Sequence, residues 1–222
     1  MKAIAGHCVI AIDGPAASGK SSVARELARR LQFVYVNSGA MYRAMTWHIL
    51  QNPGALQDPA AIAAAAEAAE IVCDLDQDQS RIRINAIDPA EHLRDPAVNE
   101  AVSVVSGVPR VREILVEKMR AYAAQHDLVM EGRDIGSVVF PSTPFKFYID
   151  ASPEVRFRRR AAEGQRDQIA ARDEADSSRP ASPLVVAPDA YVIDSSEMSI
   201  DQVVSEVMER LRMSGTPVAR IL

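Results

Sequence analysis

Gly14-Pro-Ala-Ala-Ser-Gly-Lys-Ser21 carries the spacing G-x-x-x-x-G-K-[ST], a pattern made for holding phosphate. Gly14 and Gly19 let the backbone curl so that successive N–H groups point into one concavity. Lys20 is placed to reach the β- and γ-phosphates of a nucleotide, and Ser21 to offer its hydroxyl to Mg²⁺. Pro15, Ala16, Ala17, Ser18 and Ser22 complete this expected nucleotide-binding loop. The positive charge elsewhere is of one kind. Of 25 basic residues only Lys2, Lys20, Lys118 and Lys146 are lysine. Arginine grips phosphate with paired N–H bonds, whereas lysine acts as a point charge. A GC-rich genome would give the same bias, so composition alone does not choose. Position says more: Arg43, Arg112, Arg133, Arg172 and Arg179 follow different elements. Several can converge on a second phosphate facing the first, an arrangement suited to transfer between two phosphorylated molecules.

The elements that must position these groups are legible in outline. The apolar run Cys8 to Ile12 predicts a buried parallel strand before the glycine loop. Val23, Leu27 and Leu31 mark the core face of a helix after it. Phe33 to Val36 predicts a second strand, with Ser38 as the N-cap of the next helix. Asp58 and Pro59 open an alanine-rich helix. The period then changes to two: Ile71 to Leu75, a turn, and Arg81 to Ile87 read as a hairpin with Ile82, Ile84 and Ala86 toward one face. Helices follow from Asp95 and Pro109. Asp127 to Glu131 predicts the third parallel strand, ending in Gly132-Arg-Asp-Ile-Gly136. Ligands gather at strand C-terminal ends in such sheets, so Ser38, Arg43, Arg133 and Asp134 fall on the side of the glycine loop. An ion pair within the Arg133–Asp134 turn is the structural alternative. Pro144 to Asp150 and Tyr191 to Asp194 complete five parallel strands. The last helix, capped by Ser199, has a core stripe of Ile200, Val203, Val204, Val207, Met208 and Leu211.

The expected fold is thus α/β, a three-layer P-loop fold with a five-stranded parallel sheet, an inserted subdomain carrying a small antiparallel patch, and a short arginine-rich lid. One domain spans residues 1–222: a core of about 1–57, 106–163 and 187–215, an insert of about 58–105 and a lid of about 164–186. Hydrophobic content of 48% and charged content of 25% are those of an ordinary globular protein. The net charge of −5 argues against a nucleic-acid coat. No apolar run approaches the ~20 residues of a membrane helix. Cys8 and Cys73 form no metal-ligand cluster and read as buried free thiols of a reducing compartment. The N-terminal apolar run flows straight into the glycine loop, so it reads as mature protein in the cytoplasm rather than a signal.

A phosphate loop alone does not choose among GTPases, ATPases and small-molecule kinases. The missing N-K-x-D segment weighs against a GTPase, and the length against a motor. Five segments do choose. Asp13-Gly-Pro-Ala-Ala-Ser-Gly-Lys-Ser, Asn37-Ser-Gly-Ala-Met-Tyr-Arg, Pro109-Arg-Val-Arg-Glu, Glu131-Gly-Arg-Asp-Ile-Gly-Ser-Val-Val-Phe-Pro and Arg172-Asp-Glu-Ala-Asp-Ser-Ser-Arg together resemble the bacterial cytidylate kinase family. The resemblance runs from about residue 7 to residue 210. It implies transfer of the γ-phosphoryl of ATP to CMP or dCMP, with Mg²⁺, in a monomer that needs neither nucleic acid nor membrane. It also implies residue roles. Ser38, Arg43 and Arg133 handle the acceptor phosphate; Ser103, Arg112 and Asp134 read cytosine; Arg172, Asp176 and Arg179 are lid residues on sugar and phosphates. Lys20, Arg133 and Arg172 are the catalytic cations. The family usually has aspartate where Asn37 stands, and often another arginine at Ala175. The alternatives are a P-loop kinase for UMP, AMP or another small acceptor, and a non-catalytic nucleotide-binding module. The base-reading set Arg112–Asp134 discriminates the first, and the second phosphate site the other.

Overall fold

The computed structural model describes residues 7–162 and 184–214, apart from the side chain of Pro53. Its spine is β1 (Val9–Asp13), flanked by β5 (Leu128–Gly132) and β6 (Phe145–Asp150) in parallel pairing. Outward from these lie β2 (Val34–Asn37) on one side and β7 (Tyr191–Asp194) on the other, both parallel. These are the five expected parallel strands. Alternation through β1 divides the core. Ala11 faces one cluster, with Val36, Met45, Val105 and Leu115, while Ile10 and Ile12 face another, with Leu27, Val204 and Leu211.

Two helices cover that second face: α1 (Lys20–Leu31) and the C-terminal helix, Ile200–Met213. The first face is covered by α2 (Ser38–Leu50), α3 (Pro59–Ala68), α4 (Pro96–Gly107) and α5 (Pro109–Ala123). Beside the loop after β6 runs α6 (Pro153–Ala162), and the C-terminal helix is α7. Burial of helix stripes against both sheet faces gives the three layers.

The hairpin is present as β3 (Ile71–Asp76) and β4 (Gln79–Ile84), with Ile71, Ile82 and Ile84 buried. Its connection corrects the sequence reading. Rather than a separate patch, it extends the main sheet: β4 pairs in parallel with β2 at Tyr35 and Gln79, so among the described residues seven strands run β3-β4-β2-β5-β1-β6-β7. The reason is local. The outer edge of β2 has N–H groups to satisfy, and Tyr35 donates its N–H to Asp78 O at 2.8 Å, Asn37 its N–H to Ser80 Oγ at 3.3 Å.

Smaller expectations also shift. Asn37, not Ser38, caps α2, accepting the Ala40 N–H at 2.9 Å. Ala86 lies beyond β4 in a left-handed turn, and Ile200 is exposed at the first position of α7. Both cysteines are free thiols, half-buried rather than buried. Asp58 and Ser199 cap as expected, the latter in a reciprocal capping box with Gln202. The expected lid lies outside the described residues up to residue 183, and with it Arg172, Ala175, Asp176 and Arg179.

Candidate functional site

The C-terminal ends of β1, β2 and β5 open on one cleft of ≈ 520 Å³. Ala16, Ala17, Gly19, Lys20, Ser21 and Ser22 form one wall. Gly14, Pro15 and Ser18 are packed inside the loop. The glycines are required here. Gly14 has φ +154° and a Cβ on it would lie 2.1 Å from the Ile149 carbonyl oxygen; Gly19 has φ +90° as it leads into α1. Lys20 Nζ donates to the Pro15 carbonyl at 3.0 Å, which holds the ammonium over its own loop. Behind the loop, Arg159 donates to Ser18 O at 3.1 Å and to Ser195 O at 2.8 Å, tying the loop to α6 and the end of β7.

The rest of the lining includes the expected acceptor residues. Ser38, Arg43, Ser103, Arg112, Arg133 and Asp134 all line the cleft. Asp134 pairs with Arg112 and not with its neighbour Arg133, so the turn-internal ion pair is not formed; Arg133 instead donates to Gly14 O at 2.9 Å. The Arg112–Asp134 pair is almost sealed, at 5% and 4% exposure. Arg112 also donates to Ser106 O at 3.3 Å and lies 5.2 Å over the Tyr42 ring. Such a pair presents guanidinium donors beside carboxylate acceptors along one edge. Arg43 donates Nη1 to Leu93 O at 2.9 Å and to Asn99 Oδ1 at 2.6 Å, fixing the segment before α4 against α2. Ser38 Oγ donates to Glu131 O at 2.8 Å.

Glu131, Tyr35, Arg25 and Arg160 have no role in the sequence reading. Glu131 is buried, accepts the Ser21 hydroxyl at 2.8 Å, and lies 3.4 Å from Tyr35 Oη. Burial and the Glu131 charge push the Tyr35 phenol upward, so it stays a donor. Asn37 Nδ2 donates to Tyr35 Oη at 3.3 Å, so Asn37 joins the same polar row. The glutamate was visible inside a quoted motif but had no partner in sequence to mark it. Arg25 and Arg160, from α1 and α6, also line the cleft, as does Arg94. No local pattern separates Arg25 and Arg160 from the other helix arginines. Six arginines and Lys20 against Glu91, Glu131 and Asp134 give the cleft lining a net positive charge, suited to anions.

The Ser21 hydroxyl and a Glu131 carboxylate oxygen are hard donors side by side. Among the described residues no group of three or more His, Cys, Asp or Glu side chains could hold a metal on its own. A pair of oxygen donors next to a phosphate loop fits an ion held mostly by phosphate and water, as Mg²⁺ is. Among the described residues, no helix is long and apolar enough to cross a membrane.

Known proteins are similar to this chain over most of its length. The family description "Cytidylate kinase" matches residues 10–213. A cytidylate kinase of Caldanaerobacter subterraneus subsp. tengcongensis is 42% identical over 91% of this chain and 94% of its own length. One from Nocardia farcinica is 44% identical over 90% and 91%. One from Corynebacterium glutamicum is 40% identical over 95% and 97%. With a glycine-rich loop and a buried Arg–Asp pair lining one cationic cleft, and this similarity covering about nine-tenths of its length, the chain belongs to the cytidylate kinase family.

Proposed function

We infer that this kinase moves the γ-phosphoryl of ATP to the phosphate of CMP or dCMP, giving ADP and CDP or dCDP, with the residues of the cleft in the following roles. The carrying observation is the near-sealed Arg112–Asp134 pair lining the same cleft as Lys20. Cytosine has an N4 amino donor next to N3 and O2 acceptors. A carboxylate accepts from N4 and a guanidinium donates to the acceptors. Uracil reverses the pattern at positions 3 and 4 and leaves buried groups unpaired, a mismatch that can cost roughly 10⁴-fold in specificity. Ser103 stands by as a further polar contact to the base.

ATP phosphates lie on the loop from Gly14 to Ser22, with Lys20 on the transferring group. Ser38, Arg43 and Arg133 hold the acceptor phosphate. Ser21 and Glu131 would hold Mg²⁺ together with ATP oxygens and water. When bound, that ion offsets charge on the β- and γ-phosphates. The acceptor needs no general base: its phosphate is largely dianionic at neutral pH, with a second pKa of about 6. Rate then comes from alignment and from cations that meet the developing charge, Lys20 and Arg133 here and Arg172 from the lid stretch. Asp176 and Arg179 complete the sugar and phosphate contacts. In the same reading residues 58–105 work as the acceptor-binding insert and residues 164–186 as the lid. The enzyme acts as a cytoplasmic monomer with no nucleic-acid or membrane partner.

The test is ADP release with ATP and Mg²⁺ in the presence of CMP, dCMP, UMP or AMP. CMP and dCMP should turn over well and UMP poorly. Asp134→Ala should reduce the CMP over UMP preference by about 10²-fold or more while ATP still binds. Equal use of UMP by the unaltered enzyme would sink the base-reading roles.

A further inference from the structure

Asp13 ends β1 directly before the phosphate loop, and its carboxylate is buried. Oδ1 accepts the N–H of Ile135 and Oδ2 the N–H of Gly136, each at 2.7 Å. Those are the first two residues of the single helical turn Ile135–Val139, which directly follows Asp134. A second link runs the other way, from the Arg133 guanidinium to the carbonyl of Gly14. The two cleft residues Arg133 and Asp134 are therefore bracketed. One side of the bracket is a carboxylate from the residue preceding the loop; the other is a carbonyl from the loop's first glycine. The turn has little slack on its far side. A Cβ on Gly136 would meet the Lys146 stem at 3.1 Å and Asp13 Oδ2 at 3.3 Å.

A carboxylate placed out of water is costly unless its oxygens are satisfied, and here two backbone N–H groups satisfy it. Nothing in the sheet requires an acid at this register position, where Asp13 pairs with Gly132. What the acid does is fix two peptide groups of another strand's exit turn.

We propose that Asp13 is a positioning residue: its two hydrogen bonds set the Arg133–Asp134 turn against the phosphate loop, so that base reading and phosphoryl alignment depend on a side chain that touches neither nucleotide. The role rests on Asp134 being the cytosine reader.

Two substitutions loosen the bracket from opposite ends. Asp13→Asn keeps one acceptor and turns an N–H donor toward another N–H. Gly136→Ala leaves the carboxylate in place and pushes the turn away by a few tenths of an ångström, at a position whose backbone is not left-handed. Asp134→Ala is the reference for lost base reading. Val204→Ala, in the core under α7, is the control for lost stability alone. Equilibrium ATP binding, kcat and KM with CMP and with UMP, and Tm are measured for each.

Displacement of a reacting group by a fraction of an ångström is worth roughly tenfold, so the CMP over UMP ratio in kcat/KM should fall about tenfold in Gly136→Ala and more in Asp13→Asn. ATP affinity should stay within about threefold, since the N–H groups of the loop are untouched. Val204→Ala should keep the ratio at a similar loss of Tm. If Asp13→Asn does not fold, Gly136→Ala decides. An unchanged ratio in Gly136→Ala, with Asp134→Ala strongly impaired, overturns the positioning role. So does an equal fall of the ratio in Val204→Ala. If Asp134→Ala itself keeps the ratio, the cytosine-reading assignment fails first, and the role of Asp13 falls with it.

Discussion

Asp13 also titrates in a way that sets a pH signature. Burial pushes its carboxyl up to about 6, with the nearby Asp134 charge adding, against the pull of the Gly136 and Ile135 N–H groups and of Lys20. The folded protein thus holds this proton more tightly than the unfolded chain does. Protonated Asp13 contributes stability that is complete below about pH 4 and is lost as pH rises through about 6. Asp13→Asn cannot titrate there. Urea unfolding of both proteins should show the unaltered chain gaining about 2 kcal/mol over the variant between pH 7.5 and pH 4.5. A gap that stays constant across that range would mean the carboxyl titrates as in water. At this scale the sequence was legible where chemistry is carried by spacing. Lys20 and Ser21 announce themselves in one motif. Asp13 and Glu131 stood in quoted motifs without a role, because their partners are 122 and 110 residues away. Residue type alone favours Ser38 as the cap. Asn37 has the equivalent acceptor one residue earlier, and it is the last extended residue before the helix, with Ser38 already helical.

Elements were more legible than their joints. The five parallel strands and the stripes of α1, α5 and α7 follow from apolar period and burial on two faces. The joint between the hairpin and β2 was not legible, because a strand's sequence does not state which edge it will meet. One further joint is made by α5. Tyr122 Oη lies 2.9 Å from Asp74 O and 3.1 Å from Arg81 O, reaching both strands of the hairpin with one proton. Tyr122→Phe keeps the ring and removes that donor. The expected loss is about 1 kcal/mol, read as a lower urea midpoint with an unchanged slope. A loss near zero would mean that water replaces the hydroxyl at no cost. Activity with saturating CMP should stay close to that of the unaltered enzyme, since Tyr122 does not line the cleft.

At the scale of the whole molecule, a chain of net charge −5 gathers six arginines and a lysine into one opening. The field at the cleft is therefore opposite in sign to the field of the surface as a whole, and it acts on substrates that are polyanions. Raising KCl from 0.05 M to 0.5 M shortens the screening length from roughly 14 Å to roughly 4 Å. KM for CMP should rise about threefold or more, with a smaller change in kcat, because contact pairs inside the site are screened less than the approach. A salt-independent KM would show that the cationic cleft does not steer its substrate. The seven-stranded sheet has a consequence of a different kind. Without the hairpin, β2 would end the sheet, and its Val-Tyr-Val run would offer open backbone groups to any other chain. With it, the outermost strand on that side is β3, which carries Asp74 and Asp76. Charge on an edge strand discourages stacking with a second molecule. The hairpin, none of whose residues lines the cleft, thus serves as a guard on solubility, and variants that unzip it from β2 should aggregate before they lose the ability to bind ATP.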